Sequence, residues 1–193
     1  MYYISSMDIE PTVKKRRPRQ SSFEKAIGLL SRRGYAIQEM HDALLKKDYP
    51  QEDVDDCMQM LIENRYLNDE NFAYERVRTR ALLSKWGKRR IHTELKNKGV
   101  SENVILQAFE RFEAGSDERM GVVHNWQQEA TELVQRKYGA FPNELYQEAD
   151  SANDWEEKQE ILKQIQKEKA RRINFLLRRG FTSEQAMKAL NST

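Results

Sequence analysis

The sequence predicts an all-α protein made of tandem three-helix repeats stacked into an elongated, curved molecule. Three observations predict it. Apolar residues recur at the helical period along much of the chain, and no stretch sustains strict alternation. Gly and Pro are sparse, 8 and 4 in 193 residues, so few tight turns are on offer and long helices with short connections fit better than a sheet. The third observation is an internal repeat. HDALLKKDYPQEDVDDCMQML (41–61), HTELKNKGVSENVILQAFERF (92–112) and NFLLRRGFTSEQAMKALNST (174–193) align. With Tyr49, Val100 and Phe181 in register, Leu44, Leu95 and Leu176 coincide. So do Val54, Ile105 and Ala186, and then Met58, Phe109 and Leu190.

The elements follow in chain order. Residues 1–20 carry the cluster KKRRPR and read as a flexible basic arm with no apolar signal segment. The first unit, 21–66, opens on a capping box, Ser21 with Glu24, and an apolar set Phe23, Ala26, Ile27 and Leu30. Its last helix places Val54, Cys57, Met58, Leu61 and Ile62 on one face, and Pro50 suits the first turn. The second unit, 67–114, has Asn68 as a cap and a leading helix to Lys85 with core stripe Phe72, Ala73, Val77 and Ala81. In its middle helix Ile91 and Leu95 face inward and Gly99 marks the stop. Ser101 then caps a helix bearing Val104, Ile105, Ala108, Phe109 and Phe112. The third unit, 115–193, starts on Val122, Trp126, Ala130, Leu133 and Val134, and ends on Gly180 and the capping box Thr182 with Gln185. Its copy of the repeat comes about 30 residues late. The surplus falls near 138–160, an acidic insertion. A three-helix unit of this size buries little apolar surface alone, and stacking supplies part of what each lacks.

Charge is segregated. The formal net charge is +2, yet residues 76–98 hold nine basic side chains against Glu94, while 144–160 hold seven acidic ones against Lys158. Such asymmetry is a statement about surface and partners. Within the basic run, Arg76, Arg78 and Arg80 spread around the leading helix, and Lys88, Arg89, Arg90 and Lys96 surround Ile91 and Leu95. A further run, 167–180, has six basic residues against Glu168. Arginine forks suit carboxylates and phosphates, and lysines act as point charges. A basic surface of this kind meets nucleic acid or an acidic protein. Trp86, beside Gly87, either stacks a base or packs at the helix junction.

The catalytic classes find no support. His41, His92 and His124 are far apart in sequence, Cys57 has no CxxC partner, and no phosphate-binding glycine loop is present. No enzymatic activity, metal or cofactor is expected. The single Cys57 reads as a buried thiol and excludes an intramolecular disulfide, which fits a reducing, cytoplasmic setting. No apolar run is long enough for a membrane span. The helix ENVILQAFERF is too apolar and acidic to serve as a recognition helix.

Two patterns together resemble the RecX family of bacterial regulatory proteins. One is YLND..FA...VR.R, carried by Tyr66, Leu67, Asn68, Asp69, Phe72, Ala73, Val77, Arg78 and Arg80. The other is G..RI..EL..KG, carried by Gly87, Arg90, Ile91, Glu94, Leu95, Lys98 and Gly99. The resemblance covers residues 21–193 apart from the insertion. It implies tandem three-helix repeats, no catalysis, and regulation of the RecA recombinase in DNA repair. Such a protein lies in the groove of the RecA–DNA filament as a monomer, binds single- or double-stranded DNA weakly, and lowers filament growth, ATP hydrolysis and strand exchange. From charge, the contact candidates are Arg78, Arg80, Lys88, Arg89, Arg90, Lys96, Arg171 and Arg172. The first unit departs from the family pattern: Ala36 stands where a serine usually starts the second helix. The acidic segment 144–160 is a candidate competitor folded over the basic face. Two other functions stay open beside this one, a helical nucleic-acid binder acting on DNA without a RecA role, and a structural adaptor.

Overall fold

A computed structural model of the chain describes residues 20–115 and 124–192. The basic arm, save Gln20, and Val122 of the third unit's apolar set lie outside those residues. Ten helices and no strand are present among them. The first three are α1 (Ser22–Leu30), α2 (Ile37–Leu45) and α3 (Gln51–Glu63). The next three are α4 (Asp69–Leu82), α5 (Lys88–Asn97) and α6 (Glu102–Glu113). Then come α7 (Trp126–Tyr138), α8 (Glu144–Ser151), α9 (Trp155–Arg179) and α10 (Ser183–Asn191).

Most of the expected caps form. Ser21 and Thr182 each close a capping box with Glu24 and Gln185, and the Asn68 side chain accepts the Asn71 amide at 2.8 Å. Ser101 occupies the cap position of α6, but its hydroxyl makes no cap bond. Pro50 stands one residue before the first turn of α3 rather than in it.

The register of the repeat is written in the backbone. Asp48, Gly99 and Gly180, each just before an aligned anchor residue, all have positive φ (59°, 83° and 90°). Their amides bond three residues back, to Leu45, Lys96 and Leu177. The aligned leucines Leu44, Leu95 and Leu176 are fully buried, as are Val54, Ile105 and Ala186. Complete burial of each such side chain contributes about 1.5–3 kcal/mol, which is why these faces and no others turn inward.

The helices α1–α3 close on a core of Ala26, Met40, Leu44, Val54, Cys57, Met58, Leu61 and Leu67. Burial pushes the Cys57 thiol above its usual range, as expected for an inert cysteine. A second, continuous core runs through α4–α7, the C-terminal half of α9 and α10, so the second and third repeats share their apolar interior. The main contacts pair α4 with α6 and α7 with α10. The insertion adds α8 and prolongs α9 to 25 residues, about 37 Å of helix. They close a small third core of Phe141, Ile165 and Leu190 with Leu145 and Ile161. α8 packs on α9 and on no other helix to a comparable extent. Among the described residues, no acid of 144–160 pairs with a cation of α5; Glu160 pairs with Lys163 of its own helix. The insertion therefore lies along α9, where Lys169 covers the Tyr146 ring at 5.4 Å, and not across α5.

The second and third repeats are joined where helices meet end to end. The last carbonyls of a helix and its first amides have no partner within the helix. Here the two sets satisfy each other. The Gly87 amide donates to the Arg179 carbonyl at 2.8 Å and the Arg89 amide to the Gly180 carbonyl at 3.1 Å. The negative end of α9 thus faces the positive end of α5, a favourable arrangement of helix dipoles. The approach needs two glycines. A Cβ on Gly87 would lie under 3.0 Å from the Gly180 backbone, and one on Gly180 would strike Arg90.

One repeat earlier the arrangement recurs in altered form. Gly99, at the end of α5, abuts Gln38 in the first turn of α2, and Lys98 pairs with Glu39. Ala36 offers α2 no capping side chain. Asp69 of α4 supplies the cap instead, accepting the Ile37 amide at 2.9 Å. The second repeat thereby caps a helix of the first.

This geometry predicts opposite outcomes for three alanine substitutions read by urea unfolding. Gly28 lies in α1 with open space around its would-be Cβ, so Gly28→Ala raises stability by about 0.5–1 kcal/mol. Gly87→Ala and Gly180→Ala each lower it by at least about 2 kcal/mol.

Candidate partner-binding surface

The structure sorts the basic residues into struts and a solvent face. On α4, Arg76 and Arg80 are one helical turn apart and converge on Glu94 of α5. Arg80 forms the bidentate pair, Nε to Oε2 at 2.8 Å and NH2 to Oε1 at 2.9 Å, while Arg76 approaches to 3.6 Å. The Arg80 guanidinium also covers the Trp86 ring at 4.4 Å, with Arg90 at 3.8 Å. Trp86 is therefore a packed junction residue contacted by two guanidinium groups, and Arg80 is a tie between α4 and α5. Burial alone would push the Glu94 carboxyl up; the Arg80 hydrogen bonds and the Arg80, Arg76 and Lys98 charges outweigh it and hold the carboxyl below its ordinary range. Arg80 is raised in turn, chiefly by its hydrogen bonds to Glu94.

Other cations are paired with acids, several of them distant in sequence. Lys88 pairs with Glu113 and lies over the Phe109 and Trp126 rings. Lys85 reaches the buried Glu129 at 3.2 Å. Lys98 and Arg33 share Glu39, which stays below its usual range because their hydrogen bonds and charges exceed the opposing effect of burial. Arg78 approaches Glu75 at 3.7 Å on the same helix.

Arg172 corrects the charge-based reading outright. It is 2 % exposed and stands in the repeat where Met40 and Ile91 are buried. Its guanidinium bonds Glu168 at 2.8 Å and the carbonyls of Gly139 and Ala140, each at 3.0 Å. An arginine can hold this interior place because its donors are matched. It pins the chain where α7 gives way to the insertion and is not a contact residue.

What faces solvent is a narrower set. Arg89 is exposed, and its guanidinium has no partner among the described residues. Lys96, two turns along the same face of α5, is 68 % exposed and only loosely drawn to Glu102 at 3.7 Å. Arg90 is exposed and donates to the Arg178 carbonyl at 3.2 Å, which brings the exposed Arg178 of α9 beside it. Arg171, two turns before Arg178, is 65 % exposed near Glu168. The end-to-end junction thus gathers Arg89, Arg90 and Arg178, with Lys96 and Arg171 further along their helices.

The charge count missed Glu94 as the collector of two arginines. A signal was there, since it is the one acid in the basic run and two arginines stand four apart facing it. Arg178 lay inside the noted run 167–180 but carried no mark separating it from its neighbours. Among the described residues no cluster of His, Cys, Asp and Glu could hold a metal, and no helix is long and apolar enough to cross a membrane.

Comparison with known proteins follows the same lines. The model of the first RecX three-helix domain matches residues 23–61, and that of the second matches 68–108. The regulatory protein RecX of Vibrio parahaemolyticus serotype O3:K6 is 32% identical over 178 residues, 92% of this chain and 95% of that protein. A regulatory protein RecX of Stenotrophomonas maltophilia strain K279a is 31% identical over 152 residues, 78% and 86% of the two chains. The crystal structure of RecX from Lactobacillus salivarius matches with a TM-score of 0.58 and 20% identity, over 89% of this chain and 93% of that one. That likeness is one of fold.

The Glu94 tie predicts a pH-dependent loss. Glu94→Gln lowers stability by on the order of 1–3 kcal/mol near neutral pH. The wild-type carboxylate is depressed below its ordinary 4.5. Its contribution is therefore full above that value and is lost as pH falls through the lower folded one. Urea unfolding of both proteins across that range should show the difference shrinking toward acid.

Proposed function

The chain belongs to the RecX family, and on that premise we propose that it is a non-catalytic regulator of the RecA–DNA filament. It binds in the filament groove and lowers filament growth, ATP hydrolysis and recombinase activity in DNA repair. The observation that carries this reading is the exposed cationic edge at the α5–α9 junction. Arg89, Arg90 and Arg178 are exposed near one another and paired with no acid among the described residues, whereas the neighbouring cations are matched by carboxylates. A groove offering acidic protein and phosphate is the kind of surface such an edge fits. The reading takes its partner from the relatives' shared name, regulatory protein RecX.

A second reading, direct nucleic-acid binding with no recombinase role, is favoured by the aromatic side chains Tyr35, Tyr66 and Phe72 beside arginines at the seam between the first two repeats. It predicts salt-sensitive affinity for DNA alone.

The discriminating experiment is DNA-dependent ATP hydrolysis by the cognate RecA. The chain inhibits it at substoichiometric amounts. The pair Arg89→Glu with Lys96→Glu, both on the solvent face, raises the half-inhibiting concentration roughly tenfold, equivalent to two exposed ion pairs at up to about 1 kcal/mol each. The thermal midpoint should stay unchanged. Absence of inhibition by the folded wild-type chain contradicts the filament reading.

A further inference from the structure

We propose that the seam between the first and second repeats is a binding site for a base of single-stranded nucleic acid. A cleft of about 430 Å³ opens there, between the end of α1 and the corner that joins α3 to α4. Its size falls within the roughly 300–1,000 Å³ of small-ligand sites, enough for one nucleotide. Tyr35, Tyr66 and Phe72 line it together with Arg65, Asn71 and Arg76.

The walls have the chemistry of a stacking platform. Tyr66 is 55 % exposed and meets Phe23 in an edge-to-face contact at 6.2 Å and 76°. A large aromatic side chain is thus held in place with its surface open to solvent. The Arg33 guanidinium covers the Tyr35 ring at 3.6 Å, and Arg76 lies over Phe72 at 5.2 Å. Those two cations are drawn to Glu39 and Glu94, so the open Tyr66 ring is left for a base and Arg65 for the phosphate attached to it. The one acid lining the cleft, Glu75, is drawn to Arg78.

Arg65 adds an independent sign. It sits in the left-handed region at φ 58°, where glycine or asparagine is accommodated at less cost. Its guanidinium has neither an ion pair nor a hydrogen bond among the described residues, only its backbone amide being engaged, to Ile62. The left-handed residue closes α3, with the Arg65 amide bonded to Ile62 and the Tyr66 amide to Leu61, and it leaves an exposed cation, paired with no acid among the described residues, lining the aromatic cleft. An unpaired strand is required, because only there are base faces free to stack.

The site deepens the proposed function and rests on it for the biological source of the ligand, the DNA of the filament. Its test uses the full chain without recombinase. Fluorescence anisotropy is measured with a labelled oligothymidylate and with the same oligonucleotide carrying abasic sites. Tyr66→Ala and Tyr66→Leu, the second keeping apolar contact with Phe23, weaken oligothymidylate binding about fivefold or more. Tyr66→Phe stays within about twofold, and none of the three alters binding of the abasic strand. Arg65→Ala weakens both strands alike and lowers the salt slope by about one phosphate. The proposal is overturned if the chain binds neither strand, if Tyr66→Ala and Tyr66→Leu leave oligothymidylate binding within about twofold, or if they weaken both strands equally. A failure here leaves an observed inhibition of ATP hydrolysis standing. A chain that stacks the base without inhibiting fails only the filament reading.

Discussion

The end of α9 resting on the start of α5 is the contact on which the second half of the molecule depends. Helix ends are normally costly to bury because their amides and carbonyls lack partners. Joining the two kinds of end removes both costs at once. The condition is a close backbone approach, which Gly87 and Gly180 permit and any side chain at either position would obstruct. Around this point Arg90 and Arg179 cross over: Arg90 donates to the Arg178 carbonyl and Arg179 to the Ser84 carbonyl at 3.0 Å. The continuous apolar core beneath, from Val77 and Ile91 to Leu176 and Ala186, fixes the two repeats as one body. The first repeat is attached by the related contact of Gly99 with Gln38, helped by Asp69 and Glu39.

The same junction decides what the basic run can do. Nine cations in 23 residues read as one strongly positive face. In the fold, Glu94 takes Arg76 and Arg80, while Glu39, Glu113 and Glu129 arrive from other helices to meet Lys98, Lys88 and Lys85. Much of the charge holds helices together. The remainder is displayed where α9 adds Arg178 to Arg89 and Arg90. Scaffold and surface share one helix, with Ile91, Leu95 and Gly87 on the first duty and Arg89 and Lys96 on the second.

The repeat was legible in the sequence because core positions and stop positions obey local rules. Three aligned leucines are buried, and three aligned residues adopt positive φ even though one of them is Asp48. Arg172 was not legible: it occupies an apolar place in the repeat and is tolerated because Glu168 and the carbonyls after α7 match its donors. Nor was the cap on α2. Ala36 announces no cap, and the carboxylate that replaces it comes from Asp69, 32 residues away in sequence from Ile37. The acidic insertion was visible as surplus length, but its fold depended on Phe141, Leu145 and Ile161 finding a neighbour, a tertiary matter. The charged surface was the least legible part, since ion-pair partners chosen across helices leave no mark in a local count.

Hydrogen exchange on the first amides of α5 tests the end-to-end contact most directly. In a helix with a free N-terminus the Gly87 and Arg89 amides would exchange nearly as fast as an open chain. Bonded to the Arg179 and Gly180 carbonyls, they should exchange as slowly as the interior amides of α5, opening only when the shared core opens. Fast exchange at Gly87 and Arg89 with Leu95 still protected would contradict the account.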